Sequence, residues 1–259
     1  MVFEPTDVND LKKAKLLLEN PGVAAKLTHF LGAPIEKGFK LLPANWSGKI
    51  GELTQTALSR AVETAVFTMN AHPGEKASNR WHKMAVATTG GIGGFFGLAA
   101  LAMELPVSTT LMLRSIADIA RSEGESIHGM ESKMACIEVF ALGGPTPGDD
   151  GAESGYFAVR AALAKAITRA VEHVAGGGLA QKGSTGLVRL ILIVAERFSI
   201  QVTEKAAAQA IPALGAAGGA IINTVFLDHF QEMARGHFIV RRLERKYGKA
   251  LVKETYQGL

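Results

Sequence analysis

A chain of 259 residues is long enough to bury a proper core, as one large domain or two small ones. Its 47% hydrophobic and 20% charged residues are an ordinary globular mix shifted towards apolar, with a mean hydropathy of +0.16. A net charge of +4 spread over the whole length, with only 3 Tyr and 2 Trp, argues against nucleic acid as a partner: charge density and base-stacking surface are both low. The single cysteine, Cys136, excludes an internal disulfide and any cysteine-based zinc or iron–sulfur cluster.

The opening "MVFEPTDVND" carries acids and no apolar segment, so it is not expected to be a secretory signal, and a cytoplasmic location is the expectation. Strand signals are almost absent, and long Ala- and Leu-rich runs punctuated by caps predict an all-α, multi-helix bundle. Asp7 is expected to cap a first helix ending at Asn20-Pro21-Gly22. A second helix runs to about Leu41 with a disturbance at Pro34, and Ser47 caps a third that reaches "NAHPGE". Helix resumes near Trp81 and continues to Glu123, broken or kinked at Pro106, where a backbone donor is lost.

A short helix covers 130–142, followed by the loop "GGPTPGDDGAESG". Helix returns over 156–174, breaks at "AGGGLAQKGSTG", and covers 187–196 and 201–214, with Pro212 as a further interruption. The last long helix is expected over about 218–247. Residues 1–80 then form an N-terminal helical segment and 81–259 the main helical domain, packed as one compact body. "GGFFGLAALAMELPVSTTLMLRSIADIARSEG" and "GGAIINTVFLDHFQEMARGHFIVRRLERKYG" both begin on paired glycines and end on a charged turn and a glycine. A duplicated helical half is one reading. The other is that two amphipathic helices share end chemistry by necessity.

The glycines need an explanation. "GGIGGFFG" lacks the third glycine of a dinucleotide fingerprint and follows no strand. "GGGLAQKGST" places Lys182 before Gly183, the reverse of a phosphate loop. Phosphate binding is therefore rejected. Gly90 and Gly94, Gly93 and Gly97, and Gly215 and Gly219 lie four apart, which predicts smooth helix faces for close packing or membrane contact. Residues 85–103 and 206–227 carry no charge and are each long enough for a span, yet they are rich in Ala and Gly and contain polar residues. Spanning helices and buried or membrane-inserted hairpins both remain open, with the latter preferred.

Glu104 stands alone among apolar residues, so it needs a partner; Arg114 is the nearest downstream cation. Arg114, Asp118, Arg121 and Glu125 recur on one helix face with alternating sign, the pattern of a solvated stripe. A polar cluster between helices, drawing on Glu104, Arg114, Asp118, Arg121, Asn223 and His237, is the competing expectation. In "DHFQEMARGHF", Asp228, His229, Glu232 and His237 offer a minority divalent-metal set, against the commoner reading of satisfied core histidines. No cofactor and no catalytic motif are recognisable, which leans away from an enzyme. The basic tail "RRLERKYGKALVKETY" suits a helix C-terminus or anionic headgroups equally.

From about residue 90 onward, "GGFFGLAALAMELPVSTTLMLRSIADIARSEGE", "VFALGG" with "ESGYFAVRAAL", "RFSIQVTEKAAAQAIPALGAAGGAIIN" and "HFQEMARGHFIVRRLERKYG" resemble the EcsC protein family. The resemblance carries over no catalytic residues, because the family has none established, and the family takes its name from a gene neighbouring a membrane transporter. It makes Glu104, Pro106, Arg114, Asn223, His237 and Arg242 candidates for a shared structural or binding role. The combined expectation is a membrane-associated binding protein, peripheral to the inner face. Its partners would be membrane lipid, an apolar small molecule or a membrane protein. The alternative is a soluble helical enzyme or metal-binding protein with a polar pocket around Glu104 and 228–237.

Overall fold

A computed structural model describes residues 3–19, 22–32, 34–63, 98–144, 155–175, 185–211 and 215–259. Among them the elements are α1 (Pro5–Leu18), α2 (Val23–Leu31), α3 (Glu36–Phe39), α4 (Trp46–Ala61), α5 (Leu98–Ser122), α6 (Met130–Glu138), α7 (Gly155–Ala175), α8 (Thr185–Gln209), α9 (Gly215–Tyr247) and α10 (Lys249–Gly258). A 3-10 turn over Val139–Ala141 extends α6. The protein is an all-α bundle. Helix α9 runs through it, with α1, α2, α5 and α8 packed along it, while α4 bridges α5 and α8 and α7 lies between α6 and α8.

One apolar cluster joins the N-terminal helices to the rest, from Leu11 and Leu18 of α1 and Ile50 and Leu58 of α4 to Phe226, Phe230 and Leu243 of α9. At its middle, Phe140, Phe198, Phe226 and Phe230 pack with ring centroids 4.9 to 6.0 Å apart. The Phe198–Phe230 and Phe226–Phe230 pairs are edge-to-face, and such pairs add about 0.5–1.5 kcal/mol beyond area burial.

Several local expectations give way to tertiary packing. Pro5 occupies the first turn of α1, where its missing donor costs nothing, and Glu4 precedes it without a side-chain cap bond. Asp7 lies inside the helix and accepts hydrogen bonds from Lys246 Nζ and Tyr247 Oη, each at 2.7 Å. Ser47 is likewise inside α4, which starts at Trp46. Pro106 sits within α5 without ending it. Leu101, Leu105, Met112, Leu113 and Ile116 are fully buried around it. At about 1.5–3 kcal/mol each, they outweigh a helix-interior proline that costs about 3 kcal/mol.

The expected gap between residues 196 and 201 closes into a single α8, because Phe198 belongs to the aromatic cluster and Arg197 donates to the Ala141 carbonyl at 3.0 Å. The charge-free 206–227 stretch divides between α8, which ends at Gln209, and α9, which begins at Gly215. Among the described residues no helix is long and apolar enough to cross a membrane. Most of the 85–103 stretch, with Gly90, Gly93, Gly94 and Gly97, lies outside the described residues.

The two chain regions compared for duplication meet in space. Helices α5 and α9 pack together and are linked inside the core by Gln231 Nε2 donating to Ser115 Oγ at 2.8 Å. Both end on a left-handed glycine, Gly124 at φ 82° and Gly248 at φ 87°. After Gly248 the chain turns into α10, which folds the basic tail back beside α1 and α9. The N-terminus is fastened to this end. Phe3 stacks on Tyr247 at 4.2 Å, Arg242 pairs with Asp10 at 2.5 Å, and Lys15 Nζ donates to the Tyr256 carbonyl at 3.2 Å.

Candidate functional site

A cleft of about 460 Å³ lies between α6, α7, α10 and the C-terminal half of α9. One wall is a single helical face of α7, presenting Phe157, Ala161, Ala164, Ile167 and Val171. Those positions recur every three or four residues, so the face follows directly from the helical period. The ionic wall is made by Glu138 of α6, Arg241 and Glu244 of α9 and Lys249 and Lys253 of α10, while Arg160 lies on the same α7 face as Phe157 and Ala164. Apolar lining with a few fixed polar groups is the usual make-up of a small-molecule site, and the volume is within the usual 300–1,000 Å³ range.

Behind the ionic wall is a buried polar chain. The Tyr156 hydroxyl is 3.0 Å from His237 Nδ1, and His237 Nε2 is 3.7 Å from Glu138 Oε2. Assigning the Tyr156 proton to the first contact leaves the ring proton on Nε2, facing Glu138. His237 is fully buried and Glu138 is 3% exposed. Arg160 is committed elsewhere: its two terminal nitrogens donate to Glu244 at 2.7 and 2.9 Å, while Glu138 Oε1 is 4.0 Å from its Nε. Arg241 is held by Glu125 at 2.9 Å and by Glu131 at 3.4 Å.

These surroundings set the protonation states. Burial pushes the Glu138 carboxyl up to about 7, against the pull of Arg160 and Arg241. Burial and the two nearby guanidiniums hold His237 well below its usual value, so it is neutral. Burial raises the Tyr156 hydroxyl, which stays protonated. For Glu125, the bonds from Arg241 and Ser132 and the charges of Arg241 and Arg245 overcome burial and hold it below the usual carboxylate range.

The polar residues singled out in the sequence fall into separate places. Glu104 and Asn223 come together in the core, and Lys205 of α8 supplies the cation for Glu104, at 2.5 Å from Oε1. Gln209 Nε2 reaches the other carboxylate oxygen at 3.3 Å. Arg114 is exposed on α5, and Asp118 pairs with Arg121 at 3.1 Å one turn on. Glu125, continuing that stripe, lies beyond the helix end and is buried against Arg241 and Arg245. His237 is the member of the set that reaches the cleft wall, through Glu138.

The four residues weighed as metal ligands do not assemble. Glu232 pairs with Lys26 of α2. His229 turns into the core against Gly143, and His237 bonds Tyr156. Asp228 lies on a smaller hollow with Phe30 and Ile221. Positions 228 and 232 share a helix face, but 229 and 237 project about 100° and 180° away from 228, and among the described residues no group of three or more His, Cys, Asp or Glu could hold a metal ion. Cys136 is buried, and its thiol is pushed up by that burial.

Of the glycines expected on packing faces, Gly215 begins α9 and Gly219 is buried in its first turns. The closest backbone approaches are made elsewhere. A Cβ on Gly38 would meet the Ala207 carbonyl oxygen at 1.9 Å, and one on Gly186 the Arg169 carbonyl oxygen at 2.8 Å.

Glu138, Tyr156, Arg160 and Glu244 escaped the sequence reading. A usable signal was present for Glu138: it is the one charge between Lys133 and Asp149, the same isolation that drew attention to Glu104.

Residues 10–243 match the model of the EcsC protein family, most of the chain, so the protein belongs to that family. No curated protein and no solved structure matches the chain.

Proposed function

We propose that this EcsC-family protein binds an amphipathic, lipid-like molecule in the cleft between α6, α7, α9 and α10. The observation that supports this reading is the mixed lining of the cleft: Phe157, Ala161, Ala164, Ile167 and Val171 of α7 together with the charged Glu138, Arg160, Arg241 and Glu244. An apolar chain gains about 25 cal/mol per Å² on leaving water for such apolar residues, while a polar head needs partners among the charged ones. The protein acts as a peripheral component at the inner face of a membrane, where the exposed Lys249 of α10 favours anionic headgroups.

The test is native mass spectrometry with lipid extraction on protein purified separately from membrane and soluble fractions. The expected result is a single-chain amphiphile or phospholipid at a defined ratio, lost in Ala164→Trp with helix content and melting temperature unchanged. Protein that is lipid-free from both fractions and takes up no added amphiphile would overturn the reading.

A further inference from the structure

The first three helices sort their charges by side. Helices α1 and α2 lie against α9, and α2 and α3 against α8, so the three form one layer over that pair. Residues 3–42 carry five acids and six lysines. Three of the acids are held by cations of α9: Glu4 and Asp7 by Lys246 at 3.0 and 2.7 Å, and Asp10 by Arg242. Two of the lysines are held as well, Lys15 by the Tyr256 carbonyl and Lys26 by Glu232. Lys12, Lys13, Lys37 and Lys40 are exposed and make no ion pair among the described residues. They outnumber the two remaining exposed acids, Glu19 and Glu36.

Large apolar side chains stand among these lysines. On α1, Leu11, Ala14 and Leu18 are buried towards α9, and the opposite face presents Lys12, Lys13 and Leu16 within one turn. Leu16 is 75% exposed, and Phe30, near the end of α2, is 63% exposed. Helix α3 rests on α8 through Gly38, where a Cβ would meet the Ala207 carbonyl oxygen at 1.9 Å. With that small residue turned inward, Lys37, Phe39, Lys40 and Leu41 are left in water. A hollow lined by Ile221 and Val225 of α9 borders Phe30 and extends the apolar surface.

Exposed apolar groups interleaved with unpaired cations mark an interaction surface, and the charge selects the partner. A second copy meeting this layer across a two-fold axis would bring the same lysines together. An anionic bilayer offers acyl chains to the apolar groups and phosphates to the lysines.

Resting on the membrane half of the reading above and not on the cleft, we infer that the layer of α1, α2 and α3 is the surface that meets the membrane, and that its partner is an anionic phospholipid bilayer. Leu16, Phe30, Phe39 and Leu41 enter the interfacial region. Lys12, Lys13, Lys37 and Lys40 lay their stems along them and keep the ammonium heads at the phosphates. Helix α10, with the exposed Lys249, packs beside α1 and continues the cationic rim at that edge.

Flotation of the full chain on vesicles of phosphatidylcholine, alone or mixed with phosphatidylglycerol, tests this. Binding is expected on the mixed vesicles, weakened by added salt, and absent on phosphatidylcholine alone. At about fivefold per lysine, Lys37→Gln with Lys40→Gln should weaken it about twentyfold, and Lys12→Gln with Lys13→Gln by a similar factor. Lys165→Gln, at an exposed position of α7 outside the layer, should leave binding nearly unchanged. Phe39→Trp should add emission that brominated acyl chains quench. All these positions are exposed, so helix content should be that of the parent.

If Lys165→Gln weakened binding as much as the α3 pair, or if phosphatidylcholine alone bound equally well, the inference would fail. It would also fail if no vesicle bound and sedimentation velocity showed a dimer dissolved by Phe39→Ser, which would give the layer to a second copy. Each of these outcomes leaves the cleft reading standing, because lipid extraction reads the cleft separately. Vesicles bound through the layer by a chain that takes up no amphiphile would uphold this inference and overturn the cleft reading alone.

Discussion

Lys205 Nζ lies 2.5 Å from Glu104 Oε1 across 101 residues of sequence, and both side chains are shut away from water, at 0% and 4% exposure. Asn223 and Gln209 bond the same carboxylate, and the ammonium sits 5.0 Å from the Phe226 ring centroid. Removing one partner strands the other as an uncompensated buried charge. Lys205→Met is expected to cost roughly 3–5 kcal/mol in urea unfolding, and Glu104→Leu combined with Lys205→Met to recover most of that. A double variant as unstable as the single one would show that the pair is not the source of the cost. Burial raises the Glu104 carboxyl, but Lys205, Asn223 and Gln209 together hold it below its usual value. Its stabilising contribution is present above the unfolded carboxylate range and is lost as pH falls through it.

Glu138 behaves in the opposite sense. Its folded value near 7 lies above that of the unfolded chain, so its contribution is complete below about 4.5 and is lost as pH rises to 7. Glu138→Gln should therefore match the natural protein near pH 4.5 and exceed its stability at pH 8 by roughly 2–3 kcal/mol. Parallel unfolding midpoints across that range would refute a proton held in the folded state.

His229 gives a third dependence on pH. Burial, with the Lys26 charge behind it, holds the ring down to about 3, and neither nitrogen has a hydrogen bond among the described residues. The unfolded chain takes up a proton below about 6.5 that the folded one refuses. Stability is present above that value and drains away as pH falls. His229→Leu should be close to neutral at pH 7.5 and more stable than the parent by roughly 2 kcal/mol at pH 5. Thermal melts at the two pH values decide it, and an equal shift at both would rule out titration.

Two glycine substitutions should differ in sign. Gly38→Ala drives a Cβ into the Ala207 backbone of α8, and a loss of about 2–4 kcal/mol is expected. Gly51→Ala meets nothing within 4 Å in the middle of α4 and should gain about 0.5–1 kcal/mol. Denaturation curves for both, measured together, would expose a general intolerance of glycine replacement if both lost stability.

The helical class was legible because the Ala- and Leu-rich runs repeat at the helical period, and the end of α9 was legible because Gly248 follows a charged turn. What the period does not carry is partner choice. Glu104 could be recognised as needing a cation, but local spacing pointed to Arg114 on the same helix, and the fold supplied Lys205 from α8. Pro106 and residues 197–200 read as breaks because propensity is local, whereas burial of Leu105 and Phe198 is tertiary. The cleft was hidden for the same reason. Its apolar face on α7 is periodic and readable, but Glu138, Arg160 and Glu244 meet only when α6, α7 and α9 pack.

The fastening of α1 to α9 has a consequence for how the chain is made. Leu11, Ala14 and Leu18 find their cover on a helix that begins at Gly215, where Gly236 lies against Leu18 and the Ala14 carbonyl. At about 5–20 residues per second, the ribosome needs roughly ten to forty seconds to deliver the intervening two hundred or so residues. Throughout that interval the first helix has its apolar stripe and no native surface to receive it. It is synthesised well before the helix that covers it, so a nascent chain stalled before α9 should be a strong client for a holdase chaperone, and one stalled after Tyr247 a weak one.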